Sequence, residues 1–538
     1  MLISPHDPNV LYLGGEVLFK TTTGGMSWTI LSPDLTRNDK SKQQSSPEQL
    51  TPDNSSSEYY DTLFAIAESP VQKGLIWVGT DDGLVHLTRD EGKTWTKVTP
   101  PQLPEWSRVN MIEPSPWDAG TAYLAADLHF NDDYRPMIFK TADFGKTWSP
   151  IVTGFSASDF VHSVHVDPER KGLLYAGTES GVFCSFDDGQ HWQPLQLNLP
   201  HTPVYDTAVH GNDLIVATHG RAFWVLDNIT PLRQASANLA SAPAHLYKPA
   251  VAYRQRGGGF FGGQGGSRSV GQNPPGGAAI DYYLAAAPPE PITIEIADAR
   301  GQVVHRSTLA SRSREAQAPR PNAGRRGGEG GPPPATAHAG MNRFLWNYRV
   351  DGPAAVPGLV VMETQGGGPM VPPGTYQVKL TAGGQTYSEP LEIKADPRVK
   401  TSQADFDKQY QFALEVRDRV SQIHALVNEL RAARASLQKS GSAAASSVLQ
   451  EMAAIEGELV QVNSTNRSAA LVYPIMLDAQ FADLANVAEG ADSAPPAQLY
   501  ARFQEYDKRR EELFARWKAL QPQIAELTGK SGATATGR

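Results

Sequence analysis

The sequence has one cysteine in 538 residues, Cys184. A single thiol forms no intramolecular disulfide and no thiolate zinc site, so neither holds this fold together. No run of about 18 apolar residues, the length a membrane-crossing helix needs, occurs in the chain. The opening MLISPHDPNVLYLGG does not show the basic-then-apolar order of a secretion signal. Positive charge is in deficit. Lys and Arg number 48 against 57 Asp and Glu, a net charge of -9, and basic residues cluster only in one Gly-rich tract. That balance argues against nucleic acid or an acidic membrane as partner, because phosphate binding needs clustered Lys and Arg. H-E-x-x-H, Walker A and G-x-S-x-G are missing too, and no metal or cofactor is expected. Gly257, Gly259 and Gly262 do satisfy G-x-G-x-x-G, but no strand precedes them and no helix follows, so the match is set aside.

Turn residues are plentiful: 48 Gly and 41 Pro in a chain that is 40% hydrophobic and 20% charged. This is a globular composition, and the length suggests roughly three or four domains. Four octads stand out. TTTGGMSW (Thr21–Trp28), TRDEGKTW (Thr88–Trp95), TADFGKTW (Thr141–Trp148) and SFDDGQHW (Ser185–Trp192) spell Ser/Thr-x-Asp-x-Gly-x-x-Trp, the first with Thr23 in place of Asp. The likeness extends upstream, where SPHDPNVLYLGG, SPVQKGLIWVGT, SPWDAGTAYLAA and DPERKGLLYAGT each place a polar turn before an apolar run ending in small residues. A fifth copy, VHGNDLIVATHG, has no octad after it. Each unit reads as strand, Pro-turn, strand, Gly-turn, strand, octad, strand. The four tryptophans lie 67, 53 and 44 residues apart, lengths suited to four-stranded units with variable loops.

Repeated four-stranded units of this length predict β-propeller blades. The octad then has a mechanical task. Its glycine takes a positive φ, its hydroxyl and carboxylate bond the turn's own backbone, and its tryptophan packs between sheets. Fasteners in every repeat fit such an architecture better than four equal catalytic centres. The structural set is therefore Thr21, Gly25 and Trp28; Thr88, Asp90, Gly92 and Trp95; Thr141, Asp143, Gly145 and Trp148; and Ser185, Asp187, Gly189 and Trp192.

These octads match the Asp-box, or BNR, repeat, and residues 1–230 resemble the bacterial BNR-repeat "glycosyl hydrolase" proteins and the sortilin- and sialidase-like propellers, notably at LYAGTESGVFCSFDDGQHW and DLIVATHGRAFWVLDN. The resemblance implies an extracytoplasmic protein, periplasmic or secreted, that binds or hydrolyses carbohydrate; the alternative it leaves open is a non-catalytic scaffold propeller that binds protein or peptide. Residues 1–230 supply about four and a half blades, fewer than most propellers contain. The chain is accordingly expected to be the C-terminal part of a longer protein whose front carries more blades and a secretion signal. The alternative is a closed ring of five blades that borrows its last strand from the N-terminus.

Residues 231–277 read as a Gly/Pro-rich linker. Residues 278–396, with AIDYYLAAA, PITIEIADARGQVVHR, RFLWNYRV and a hairpin turning at Gly383 and Gly384, read as an immunoglobulin or fibronectin III-like sandwich. A disordered Arg/Gly insert is expected at 311–340. From Thr401 the period becomes helical, with Ala413, Val416, Val420, Ile423, Val427 and Leu430 on one stripe and Ser402 as N-cap. Further helices near 444–462, 474–489 and 496–527 make 401–528 a helical bundle. The predicted class is mainly β: a partial Asp-box propeller, a sandwich and a C-terminal α-helical bundle.

A glycosidase needs two carboxylates across a cleft. Asp81, Asp82, Asp127, Asp132, Asp133, Glu179, Asp206 and Asp227 are carboxylates outside the octads, but spacing along a repeat cannot pair them, and catalytic residues are not identifiable from the chain alone. Asp81, Asp82 and Glu179 occupy equivalent turns and fit turn chemistry. His219 and Arg221 replace acidic residues in the fifth such turn. With Asp206 they form the candidate polar ligand site, although His219 also fits a satisfied turn position.

Overall fold

The computed structural model describes residues 1–43, 60–236, 239, 241–255, 276–309, 336–360, 367–440, 445–464 and 472–528. The chain is mainly β with a C-terminal helical region, and it divides into two compact units, Met1–Ala235 and Ser236–Arg538.

The first unit is a series of antiparallel meanders. Sheet one comprises β1 (Leu2–Ile3), β2 (Leu11–Gly14), β3 (Leu18–Thr21) and β4 (Thr29–Ile30); sheet two comprises β5 (Leu63–Glu68), β6 (Ile76–Thr80), β7 (Val85–Thr88) and β8 (Thr96–Lys97). Sheet three holds β9 (Arg108–Pro114), β10 (Ala122–Leu128), β11 (Asp133–Thr141) and β12 (Ser149–Pro150). Sheet four holds β13 (Val161–Val166), β14 (Leu174–Thr178), β15 (Val182–Ser185) and β16 (Gln193–Pro194), and sheet five has three strands, β17 (Val204–His210), β18 (Asp213–Thr218) and β19 (Phe223–Leu226). Strands pair in chain order throughout, and a short helix, α1 (Thr230–Gln234), follows β19.

Consecutive sheets pack face to face, with β5 against β9, β9 against β13 and β13 against β17. The second strands show why. Ile76 and Val78 join Tyr12 and Leu18 of sheet one, while Trp77 on the opposite face joins Ile112, Leu124 and Trp148 of sheet three. Leu174 and Ala176 likewise face sheet three and Tyr175 faces sheet five. A strand apolar on both faces is buried on both, which requires a neighbour on each side. Where these strands end, a small residue lets the next sheet approach: a Cβ on Gly177 would stand 2.5 Å from the Val204 carbonyl oxygen. Four-stranded antiparallel sheets stacked in this manner are propeller-type blades.

In the second unit, β20 (Ala244–Leu246), β22 (Ala278–Leu284) and β25 (Gly340–Trp346) form one sheet. The other runs β21 (Ala252–Arg254), β27 (Gln385–Ala395), β26 (Gly374–Ala382), β23 (Ile292–Ala297) and β24 (Val303–Leu309), with β21 parallel to β27. Both sheets share a core of Ile280, Tyr282, Ile294, Trp346, Val378 and Leu391. The stretch 231–277, expected as linker, thus contains two paired strands, because AHL and AYR precede its Gly-rich part. That Gly-rich part, including Gly257, Gly259 and Gly262, and most of the expected insert at 311–340 lie outside the described residues.

Helices α2 (Gln403–Ser440), α3 (Ser446–Leu459), α4 (Leu477–Ala488) and α5 (Ala497–Leu527) close on a common core. The stripe Ala413, Val416, Val420, Ile423, Val427 and Leu430 is buried in the chain, and all but Ala413 line that core. The Ser402 hydroxyl accepts the Asp405 amide at 3.2 Å, capping α2. Among the described residues no helix is long and apolar enough to cross a membrane.

Candidate functional site at the loop end of the blades

Each blade has two ends. The third strand finishes in the octad at one end; the second strand turns into the third, and the first strand starts, at the other. The two ends differ in chemistry.

At the octad end the turns are alike. Gly92, Gly145 and Gly189 donate their amides to Thr88, Thr141 and Ser185 at 2.9, 3.0 and 2.9 Å, and those hydroxyls donate to Asp90, Asp143 and Asp187 at 2.8, 2.9 and 2.9 Å. Each carboxylate also accepts an amide four residues on, at 2.9 Å in all three. Bonds from the Thr94 hydroxyl and amide hold the Asp90 carboxyl at about 2, well below its ordinary value. In the first turn Thr23 accepts the Ser27 amide at 3.0 Å, and Gly25 donates to Thr21 at 3.2 Å. Each tryptophan of the later octads reaches back one blade: the indoles of Trp95, Trp148 and Trp192 donate to the carbonyls of Leu31, Val98 and Ile151 at 3.2, 2.7 and 2.8 Å. These carboxylates are occupied locally, one per blade.

The loop end carries a device that the repeat does not announce. Blades two to five share a β-bulge between first and second strands. Register skips one residue in each: Phe64 between Leu63 and Ala65, Asn110 between Val109 and Met111, His162 between Val161 and Ser163, and Tyr205 between Val204 and Asp206. A bulge turns its extra residue out of the ladder and re-aims the side chain. The four re-aimed side chains form a row across consecutive blades. The Arg108 guanidinium lies 5.1 Å from the Phe64 ring and 5.1 Å from the Phe130 ring; Asn110 donates to the Val161 carbonyl at 3.2 Å; and the His162 and Tyr205 rings are 4.3 Å apart. A chain of ring contacts runs from His129, stacked on Phe160 (4.5 Å), through the edge-on contact of Phe160 with His162 (5.0 Å) to Tyr205, which stacks on His219 (5.0 Å, 9° between planes). Phe64, Tyr205 and Phe130 remain 52%, 50% and 71% exposed, so the row keeps aromatic surface in contact with solvent. Beside Phe64 and Asn110 opens a groove of about 410 Å³, lined also by Ile3, Ile66, Met111 and Glu113.

Charged groups flank the row. Asp127 is fully buried, yet Arg108 (3.1 Å), Asn110 (2.6 Å) and His129 outweigh the burial and hold its carboxyl below the ordinary value. Burial lowers His162, partly opposed by Glu179 at 3.0 Å. His165 lies between two carboxylates, Asp206 at 2.8 Å from Nε2 and Glu113 at 3.7 Å from Nδ1; burial works against its charge, but the two carboxylates prevail and raise it to about 10. Three adjacent first strands are thereby tied by one imidazolium. Asp81 is pushed up to about 6, chiefly by burial, and neighbouring Asp82 is raised for the same reason.

The structure distributes the expected site residues among separate contacts. Asp206 bonds His165, His219 stacks on Tyr205, and Arg221 takes part in the turn itself, its amide donating to the Thr218 hydroxyl and its carbonyl accepting the Trp224 indole. Asp81 accepts the Thr62 amide and Asp82 the Arg37 amide, at 2.8 and 2.7 Å, while Asp133 pairs with Arg135 at 2.5 Å. Glu113, His162, His165 and Tyr205 were not anticipated as site residues. A signal for one of them stands in FVHSVHV, where His162 and Ser163 interrupt the apolar alternation at the bulge. Among the described residues no group of three or more His, Cys, Asp or Glu could hold a metal ion.

No protein-family model matches the chain, and no curated protein matches it. Solved structures similar to part of it include the GH74 xyloglucanase from Xanthomonas campestris, at 13% identity and a TM-score of 0.31 over 42% of this chain and 35% of that one. YCF48 from Cyanidioschyzon merolae aligns at 19% identity and a TM-score of 0.24 over 31% of this chain and 53% of that one. An ancestral GH74 enzyme aligns at 16% identity and a TM-score of 0.29 over 58% of this chain and 38% of that one. The chain therefore spans only about a third to a half of their length, and likeness at this level carries no inference about activity.

Proposed function

We propose that residues 1–230 are blades of an extracytoplasmic BNR/Asp-box propeller that binds carbohydrate at the loop end. The observation that carries this reading is the row of bulge residues. Phe64 and Tyr205 keep about half of their surface exposed for contact with the C–H groups of sugar rings, and His162, Glu179 and Asp206 stand beside Tyr205 to bond hydroxyls. The test is titration with a panel of soluble polysaccharides by calorimetry. Binding that weakens at least tenfold in Tyr205→Ala, with the melting temperature unchanged, supports the reading; a panel without a binder, or a binder indifferent to both Tyr205→Ala and Phe64→Ala, counts against it.

A second reading, glycoside hydrolysis, is favoured by Asp81. A carboxyl raised to about 6 by burial suits a general acid near neutral pH, with Asp82 beside it. Release of reducing sugar that disappears in Asp81→Asn but survives Asp90→Asn would support it. The non-catalytic alternative is a scaffold that takes an extended protein or peptide segment on the same aromatic row, and competition by peptides instead of glycans would favour it. Residues 278–396 fit an immunoglobulin or fibronectin III-like module, and 401–528 a helical bundle that closes on itself.

A further inference from the structure

The joints between blades follow one pattern, and the first blade carries half of a joint. In blades two, three and four the face toward the preceding blade is made of two second-strand residues, the octad glycine and the octad tryptophan. The strand residues are Ile76 and Val78, Ala122 and Leu124, and Leu174 and Ala176, all fully buried. The glycine is pressed so close that an added Cβ would meet Leu31 at 2.5 Å, Val98 at 2.8 Å or Ile151 at 2.5 Å, and the indole bonds the carbonyl of that same residue. The receiving half is thus an aliphatic residue immediately after a fourth strand, offering its side chain to the glycine and its carbonyl to the indole.

In blade one the equivalents of Ile76 and Val78, by their pairing with the third strand, are Leu11 and Leu13, and both are partly exposed. A Cβ on Gly25 would meet only its own Trp28. Trp28 is 38% exposed, against 6% for Trp148 and 4% for Trp192. The giving half is built, since Gly25 and Thr21 close the turn as elsewhere, yet among the described residues of Met1–Ala235 none receives it. Blade five cannot serve, because it ends at its third strand and α1 takes the octad's place, with Ile229 in the cluster that includes Leu195. A second copy cannot serve by the same rule: its Leu31, Val98 and Ile151 carbonyls are already engaged and its Leu195 is packed.

We infer that the face formed by Leu11, Leu13, Gly25 and Trp28 is the docking surface for one further blade of this repeat, supplied by polypeptide N-terminal to residue 1 of the same protein. Its receiving residue is aliphatic, follows a two-residue outer strand, covers Gly25 and accepts the Trp28 indole. This inference rests on the propeller reading, not on the carbohydrate reading.

The experiment compares the 538-residue chain with the chain extended by its natural upstream reading frame, each carrying Trp28→Ala or Trp148→Ala. Trp148→Ala is expected to lower the melting temperature by about 10 °C in both chains. Trp28→Ala is expected to do the same in the extended chain and to shift the 538-residue chain by less than about 2 °C. Silence of Trp28→Ala in both chains, or an upstream frame encoding no four-stranded repeat, overturns the inference. A dimer of the 538-residue chain in sedimentation equilibrium that Trp28→Ala dissolves overturns it as well and gives the face to a second copy. If Trp148→Ala is itself silent, the propeller reading fails instead.

Discussion

The two ends of the blades share one backbone and differ in what they repeat. At the octad end Thr88, Thr141 and Ser185 make the same bonds within 0.1 Å of one another. At the loop end the backbone is equally repetitive, with a bulge at the same step in four blades, but the residue it ejects is Phe64, Asn110, His162 or Tyr205 in turn. A repeat that keeps its bonds at one end and varies its side chains at the other fixes cohesion at the first and leaves the second free to differ from blade to blade. The first end needs one solution for every joint, while the second, on the binding role proposed above, gains from four different side chains addressing one ligand.

That contrast can be broken by substitution. The largest expected effect is on cohesion: Trp148→Ala removes a buried indole and its bond to Val98, for a loss of about 3–5 kcal/mol in chemical denaturation, with ligand binding at the loop end unchanged in protein that remains folded. Thr141→Val, which keeps the shape but strands the amides it served, costs about 1–3 kcal/mol by the same measurement. On the other end, Tyr205→Ala and Phe64→Ala are expected to weaken ligand binding at least tenfold while moving stability by less than about 1 kcal/mol, both rings being half exposed. A mutant in either group that shifts both readouts would dissolve the distinction.

The smallest effect sharpens it through pH. His165 titrates at about 10 in the folded protein and near 6.5 when unfolded, so its pairing with Asp206 and Glu113 contributes fully below about pH 6.5 and is lost progressively as pH rises through about 10. The melting-temperature difference between the natural protein and His165→Gln should therefore be widest near pH 6 and vanish above pH 10. A difference that stays constant across that range would show that His165 acts through packing alone.

The sequence displayed the octads because each is local: hydroxyl, carboxylate, glycine and tryptophan fall within eight residues, and the bonds that close the turn span two to four. The helical stripe from Ala413 to Leu430 was legible for the same reason, a single period within one element. The bulge row was not. In LFAIAE the residues around Phe64 are apolar on both sides of the register step, so alternation gives no sign of the slip. The contacts that assemble the row are also remote in sequence, with His165 and Asp206 separated by 41 positions and joined only because successive first strands become neighbours. Asp206, His219 and Arg221 share one blade and were legible together for that reason, but their partners were not: Asp206 bonds His165 of the preceding blade, and His219 stacks on Tyr205, the residue the bulge ejects.

The backward reach of Trp148 to Val98, 50 residues earlier, also gives the array a temporal order. During synthesis from the N-terminus, the second blade stays unlatched until the octad of the third has left the ribosome, and the third waits in turn for Trp192. A pause in translation just before Trp148 would therefore leave a nascent chain whose latest meander is formed but not yet bolted, and such a stalled chain should be cut by protease inside blade two.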